Sequence, residues 1–381
     1  MLERFRQWFK LKGMENKKKR VIISGGGTGG HIFPAIAIAN ALKRLEPNIE
    51  ILFVGANGRM EMDKVPAAGY KIIGLDIQGI NRKSLLKNIF LPFKLWKSLQ
   101  RARTIIKNFR PDAAVGVGGY ASGPLLHAAG RLGIPYLIQE QNSYAGITNK
   151  KLGAKAAKIS VAFEGMERFF PKEKLLVTGN PIRRDAVNIQ GKEFEAKALL
   201  GLDHDKKTIL VTGGSLGAKT LNDSILAGLE KMRAANLQVI WQCGSYYYEQ
   251  LQALLQEAGM EDVCLKPFLH RMDLAYAAAD LIVARAGAGT IAELCAVGKP
   301  VILVPSPNVA EDHQTKNALA LIKKHAALMV EDHQARETLM DELIALIKDR
   351  EQCKVLAAHI KQLAKTDADE VIAREVLKLI P

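Results

Sequence analysis

The sequence predicts an α/β protein built from two similar doubly wound domains, and three observations carry that prediction. Apolar strand-like runs alternate with helical patterns along most of the chain, the mark of β-α-β units and parallel sheets. A glycine loop between a strand and a helix opens each half, first as VIISGGGTGG and then as ILVTGGSLGA. The length, 381 residues, suffices for two domains with separate cores.

In the first half the strand runs are VIIS (21–24), ILFVG (51–55), KIIGL (71–75), AAVGV (113–117), YLIQE (136–140), KISVA (158–162) and KLLVTG (174–179). GNPIRRD and a polar stretch, residues 185–207, follow. The second series reads TILVTG (208–213), LQVIWQC (237–243), VCLKPF (263–268), DLIVARAG (280–287) and KPVILVPSP (299–307). From about Glu331 the tail reads as helices. A hinge is expected near residues 180–185, which gives a first domain over 1–182 and a second over 183–361. Ligands in such sheets bind outside the carboxyl ends of the strands, so the crevice between the halves is the expected site.

Composition excludes several classes. With 48% hydrophobic and 24% charged residues the chain is globular, not disordered or fibrous. No apolar run approaches the roughly 18–20 residues that span a bilayer, and MLERFRQWFKLKGMENKKKR lacks the apolar core of a secretory signal. Cys243, Cys264, Cys295 and Cys353 are scattered without metal spacing, as expected of reduced thiols in the cytoplasm.

The net charge of +15 is unevenly placed. Residues 1–110 hold 22 Lys and Arg against 7 Asp and Glu, whereas the remaining residues carry 32 of each. Such an excess marks a surface for an anionic partner. Residues 79–112 carry nine basic residues and no acid before Asp112, interleaved with large apolar side chains. Between Phe93 and Phe109, Leu95/Trp96, Leu99, Ala102, Ile106 and Phe109 recur at helical spacing, as on a core helix. For residues 81–91, with Leu86, Ile89 and Phe90, contact with anionic lipid is expected, against the plainer reading of a core helix with a solvated basic face. No signature of nucleic-acid binding occurs. MLERFRQWFKLK is either a second basic amphipathic element or an extension upstream of a start at Met14.

Four glycine loops bear on ligand binding. Gly25, Gly27 and Gly30 satisfy G-x-G-x-x-G, but a dinucleotide site also needs an acid at the tip of the second strand, and ILFVGANG has none. Another phosphate-bearing ligand remains compatible with the backbone N–H groups and the helix N-terminus there. VGVGGYASGP (115–124) adds Tyr120 and Ser122, and GGSLGA (213–218) makes a second anion cradle with Ser215. In ARAGAGTIAEL (284–294), Thr290 and Glu293 lie three apart, as in a helix-capping box or as a carboxylate placed for a ribose diol. Two D-x-D pairs, Asp203–Asp205 and Asp367–Asp369, read as solvated surface, not as a magnesium site.

Taken together, GGGTGGHIFPAIAIA, GGYASGP, EQN, GNPIR, GGSLGA, AGAGTIAEL with GKPVILVPSP, and DHQTKNA resemble the MurG glycosyltransferases in order and spacing. The resemblance covers roughly residues 20–360 and implies a GT-B architecture, two Rossmann-like domains separated by a deep cleft. A final helix, within 362–381, would cross back onto the first domain. The implied activity is transfer of N-acetylglucosamine from its UDP donor to an undecaprenyl-diphosphate-linked muramoyl peptide in peptidoglycan synthesis. It implies peripheral residence on the cytoplasmic face of the inner membrane, with no cofactor or metal.

For the donor, the resemblance implies contacts from Thr28, Gly29, Gly30, Asn142, Arg183, Ser215, Leu269, Ala288, Gly289, Thr290, Glu293 and Gln314. Gly26, Gly27, Gly119 and Ser122 would meet the acceptor, and Tyr120 would position it. His313 and Gly289 depart from the residues of some relatives. Inversion at the anomeric carbon requires a base opposite the leaving diphosphate. His31, at a helix N-terminus that disfavours imidazolium, is the first candidate, with plain hydrogen bonding to the acceptor as its alternative role. Glu140 is the rival base or an orienting partner. Other GT-B enzymes, a diacylglycerol glycosyltransferase or a UDP-N-acetylglucosamine 2-epimerase, are the nearby alternatives, and a non-catalytic nucleotide-binding scaffold the distant one.

Overall fold

The computed structural model describes residues 18–77, 91–260 and 262–381. The first sheet contains β1 (Arg20–Gly25), β2 (Glu50–Ala56), β3 (Lys71–Leu75), β4 (Ala113–Gly118), β5 (Tyr136–Glu140), β6 (Lys158–Val161) and β7 (Leu175–Val177). Its order is β3-β2-β1-β4-β5-β6-β7 and every pairing is parallel. The second contains β8 (Lys207–Thr212), β9 (Leu237–Gln242), β10 (Val263–Lys266), β11 (Leu281–Ala284), β12 (Val301–Leu303) and β13 (Leu328–Met329). Its order, β10-β9-β8-β11-β12-β13, repeats the first sheet's pattern. All twelve strands expected from the sequence form. The two-residue β13 was not expected, because LM is too short to show a period.

Each sheet reverses strand order once, between β1 and β4 in the first and between β8 and β11 in the second. A crevice opens at such a reversal. The four glycine loops follow these four strands. The β1–β4 register slips between Ser24 and Gly25, at the point where the first loop leaves the sheet.

Both sheets are covered on two faces. In the first domain Val21, Ile23, Phe53 and Val115 pack under the helix Gly29–Leu45, and Ile22, Val54, Ala114 and Ile138 pack on the other side. The C-terminal helix Ala368–Lys378 returns to this domain, where Ile372, Ala373 and Val376 are wholly buried in the same layer as Ile38 and Leu42. Asp369 fixes it there. Expected to be solvated surface, Asp369 is buried and accepts from Arg44 at 2.6 Å and from Arg184 at 2.7 Å. One carboxylate thus ties the last helix both to the first domain and to the start of the second. Asp203 does stay at the surface, where its Oδ1 accepts the Asp205 N–H at 2.8 Å.

The helix Leu91–Phe109 departs from expectation. Its buried stripe is Ser98, Ala102, Ile105 and Ile106, spaced i, i+4, i+7, i+8. Leu95 and Trp96 lie off that stripe and point to solvent. Phe93 is 63% and Trp96 58% exposed, and their rings stack with centroids 6.1 Å apart. Leu86, Ile89 and Phe90, just ahead of this helix, and MLERFRQWFKLK lie outside the described residues. No described helix is long and apolar enough to cross a membrane.

Candidate active site

The first loop is built around a buried carboxylate that the sequence did not advertise. Glu61, at the first position of the helix Glu61–Ala67, accepts the Gly27 N–H at 2.8 Å through Oε2 and the Ala56 N–H at 3.0 Å through Oε1. The Gly26 N–H is bound to the Gly118 carbonyl at 3.3 Å. Two of the loop's amides are therefore spent on holding it. The anion-facing donors that remain are those of the helix N-terminus, where Thr28 is the extended cap residue and makes no side-chain cap bond.

His31 sits in the first turn of that helix. Its Nδ1 lies 3.1 Å from the Gly26 carbonyl and 3.3 Å from the Thr28 hydroxyl. A carbonyl can only accept, so Nδ1 carries the proton and Nε2 is left as the free lone pair. Burial lowers the pKa of this imidazole below its ordinary 6.5, as does His313, while the charges of Glu140 and Glu61 and the Gly26 bond oppose the fall. The ring is thus a neutral acceptor near neutral pH.

Gly118 and Gly119, at the end of β4, hold φ of +99° and +90°. A Cβ on Gly118 would lie 2.7 Å from His31 Nε2, and one on Gly119 would overlap the Gly26 carbonyl. The two loops touch backbone to backbone, and glycine is what lets them. Tyr120 stands half-exposed beside Gly27, with the Arg59 guanidinium 5.9 Å from its ring. Ser122, expected to meet the acceptor, is instead fully buried. Its hydroxyl lies 2.8 Å from the Ser24 carbonyl and 2.9 Å from that of Gly118, so it braces the loop and does not reach a ligand.

Glu140 ends β5 and is buried. Its Oε1 accepts from the Asn142 N–H at 3.1 Å, and its Oε2 from the Gly146 N–H at 3.0 Å and Asn149 Nδ2 at 2.8 Å. With both oxygens engaged, this carboxylate shapes the loop and places negative charge near His31. Asn142 itself meets the second domain. Asn317 Nδ2 donates to Asn142 Oδ1 at 3.2 Å, and Asn317 Oδ1 accepts the Ser143 N–H at 2.9 Å.

In the second domain the loop Gly213–Ala218 leads into the helix Lys219–Ala234, whose first turn lacks a side-chain cap and an acid. Ser215 is exposed in this loop. Gln242, unmarked in the sequence, ties the neighbouring loops together. Its Nε2 donates to the Gly214 carbonyl at 2.7 Å and its Oε1 accepts the Leu269 N–H at 2.9 Å. Leu269 is buried with that amide occupied, so its carbonyl is the backbone group left for a base.

The helix Ala288–Val297 starts at Ala288, which places Gly289 and Thr290 within its first turn. No capping box forms. Glu293 turns instead to Arg183, which donates from Nε at 2.8 Å and from Nη2 at 3.1 Å, and to the Tyr276 hydroxyl at 3.1 Å. Burial, and then the Glu293 charge, hold the Tyr276 hydroxyl well above its usual pKa. Arg183 also lies 5.9 Å from the ring of Phe33 on the first domain's helix. Gln314 Oε1 accepts the Ser306 N–H at 2.9 Å. Just before it, Glu311 and Asp312 adopt φ of +58° and +50°, two consecutive left-handed residues that bend the chain into the helix bearing Gln314.

Two parallel-sheet domains with facing glycine loops, one beside a neutral imidazole and one at an uncapped helix N-terminus, define a nucleotide-sugar glycosyltransferase architecture. Residues 21–161 match the glycosyltransferase family 28 N-terminal domain, and residues 208–374 the family 28 C-terminal domain. A Phocaeicola vulgatus protein named UDP-N-acetylglucosamine--N-acetylmuramyl-(pentapeptide) pyrophosphoryl-undecaprenol N-acetylglucosamine transferase is 58% identical over 361 residues, 94% of this chain and 96% of that one. The Parabacteroides distasonis protein of the same name is 56% identical, over 96% and 99%. The crystal structure of Acinetobacter baumannii MurG is 31% identical with a TM-score of 0.78, covering 94% of this chain and 99% of its own. The chain belongs to the MurG family of glycosyltransferases.

Proposed function

We infer that the chain transfers N-acetylglucosamine from UDP-N-acetylglucosamine to the C4 hydroxyl of undecaprenyl-diphosphoryl-N-acetylmuramoyl-peptide, with inversion, converting lipid I to lipid II in peptidoglycan synthesis. The observation that carries this reading is near-full-length identity of 58% to a relative named for that transfer. The arrangement around His31 supports it chemically.

In this reading His31 Nε2 takes the proton of the C4 hydroxyl as oxygen attacks the anomeric carbon and the bond to the UDP diphosphate breaks. Its Nδ1–H keeps its proton and donates to the Gly26 carbonyl, which fixes the ring's orientation. The departing diphosphate is received by the amides at the start of the Lys219–Ala234 helix, by Ser215 and by Arg183. Glu293 and Thr290 hold the ribose, the Leu269 carbonyl the uracil and Gln314 the sugar hydroxyls, with Asn142 nearby. Thr28, Gly29 and Gly30 lie where acceptor diphosphate and donor sugar meet, and Tyr120 orients the acceptor. Gly26, Gly27, Gly119 and Ser122 act by shaping that loop.

A polyprenyl carrier stays in the bilayer, so the enzyme must work at an anionic membrane surface, its cytoplasmic face. Leu86, Ile89 and Phe90 would enter the interface, and the exposed Phe93 and Trp96, flanked by Lys94 and Lys97, extend the same patch onto a described helix. Incubation with labelled UDP-N-acetylglucosamine and lipid I should label the lipid; free UDP or an epimer as the sole product would overturn the assignment. Serine at Leu86, Ile89 and Phe90 should reduce sedimentation with anionic liposomes, and unchanged binding would remove the membrane patch.

A further inference from the structure

A second cavity, of about 640 Å³, lies at the hinge. The two chain crossings between the domains run side by side along it. Gly179, on the first crossing, sits so close to Lys365, on the second, that a Cβ there would overlap the lysine. The walls come from both domains, with Phe163 and Val177 on one side and Ile291 and Leu319 on the other. Of the residues expected at the donor site, only Ala288 lines this cavity. On the helix Ala288–Val297, Ile291, Ala292 and Cys295 face the cavity, whereas Thr290 and Glu293 lie on the opposite side of the 3.6-residue turn. The cavity and the donor face therefore bear on two sides of one ten-residue helix.

Its charge is one-sided. Arg168, Lys316, Lys323, Lys324 and Lys365 line it with a single carboxylate, Glu164, which Lys324 already holds at 2.9 Å. This cluster stands in a part of the chain where acids and bases balance, 32 to 32 over residues 111–381. Ser143, also in the lining and 93% buried, has a hydroxyl without a hydrogen-bond partner among the described residues. A buried hydroxyl so placed marks a position where a ligand or water atom completes the structure. Lys316 lies 3.7 Å from the Tyr144 ring centroid, and Arg168 donates to the Ser143 carbonyl at 2.8 Å, so two of the cations are held in place.

We propose that the hinge cavity is a second ligand site, for a phosphorylated small molecule of nucleotide size, and that its occupant sets the relation of the two domains. The volume falls in the range that takes such molecules and exceeds the need of inorganic phosphate. Lysines supply point charges for phosphate oxygens, and Phe163, Ile291 and Leu319 supply the apolar wall for the body of the ligand. A molecule bound to Arg168 of the first domain, Lys323 of the second and Lys365 of the second crossing bridges three segments and adds to the Lys324–Glu164 and Asn317–Ser143 contacts between them. It binds without entering the donor face and alters donor affinity through the shared helix.

The test uses the full chain titrated calorimetrically with ADP, whose base is not that of the uridine donor. Lys323 and Lys365 are exposed and in no ion pair among the described residues, so the Lys323→Glu/Lys365→Glu variant removes charge without stripping a partner. It should weaken ADP binding by at least about tenfold, while Arg183→Ala, on the donor side, leaves it unchanged. Ala320→Trp, which fills the cavity, should weaken it similarly and gives an independent arm if the charge variant folds poorly. In the wild type, ADP should change KM for UDP-N-acetylglucosamine, and the charge variant should lose that response. Absence of ADP binding, or binding that Arg183→Ala abolishes and charge reversal leaves intact, overturns the proposal. The binding arm requires no transferase activity, so its failure is separable from failure of the functional assignment.

Discussion

Arg183 grips Glu293 through two bonds, and Tyr276 takes a third direction on the same carboxylate. A carboxylate offers about four acceptor directions. On the proposed reading, a ribose diol arriving at Glu293 would find one direction open and would displace Arg183 from another. The guanidinium, released, is free to turn towards the diphosphate. Arg183 is 44% exposed and Glu293 10%, so the guanidinium can turn to water while the carboxylate stays held by Tyr276. Replacement of Glu293 by Gln should raise the donor KM by roughly tenfold or more, since hydrogen bonds to a charged group are worth about 1.5–3 kcal/mol. Steady-state kinetics decides it, and an unmoved KM would take Glu293 out of the donor site.

Removal of the His31 imidazole by Ala should lower kcat by roughly 10²–10⁴-fold, the usual contribution of a general base. The base works unprotonated and burial lowers its pKa, so the acidic limb of kcat/KM should fall below 6.5. A pH–rate profile with its limb above that value, or retained turnover in His31→Ala, transfers the role elsewhere.

Glu61→Gln replaces an acceptor of two backbone amides by a group with one oxygen. One buried N–H, of Gly27 or Ala56, then faces an NH₂, at a cost of about 1–3 kcal/mol. The loop should loosen, with kcat and acceptor affinity reduced and donor KM unchanged. The Glu61 charge raises the His31 pKa, so its loss should also move the acidic limb further down. A structural role confined to stability would lower the melting temperature without shifting that limb.

Gly118→Ala places a methyl group against His31 Nε2 on a backbone at φ +99°. We expect kcat to fall while binding of the donor, measured directly, persists. Unaltered turnover would mean that Nε2 is not where the proton is taken.

Asp369→Ala strips two arginines of their shared partner. Both are about half exposed and can return to water, which limits the loss to about 1–3 kcal/mol. Thermal unfolding should show the decrease, with Asp369→Asn intermediate.

Much of this architecture was legible because strand runs and glycine loops are local signals. VIISGGGTGG carries its strand, turn and helix start within ten residues. The features that were missed depend on distant partners. Asp369 resembles any acid in a polar tail until Arg44 and Arg184 converge on it. Glu61 looks like an ordinary acid in a first helical turn, and only the fold brings Gly27 beneath it. Ser122 reads as a ligand hydroxyl beside Tyr120, yet the close approach of β1 and β4 turns it inward. On the Leu91–Phe109 helix, apolar spacing alone did not distinguish the face that packs on the sheet from the face left to solvent.

The return of the Ala368–Lys378 helix has a consequence for biosynthesis. Ile372, Ala373 and Val376 belong to the layer that covers β1, yet they are synthesised after the whole of the second sheet. The first domain is thus completed only after the second has been synthesised and has had time to fold. Until then the apolar groove beside Ile38 and Leu42 stays open. A chain cut before Ala368 exposes it to chaperones and proteases, so the eleven-residue helix Ala368–Lys378 is what closes the first domain's core.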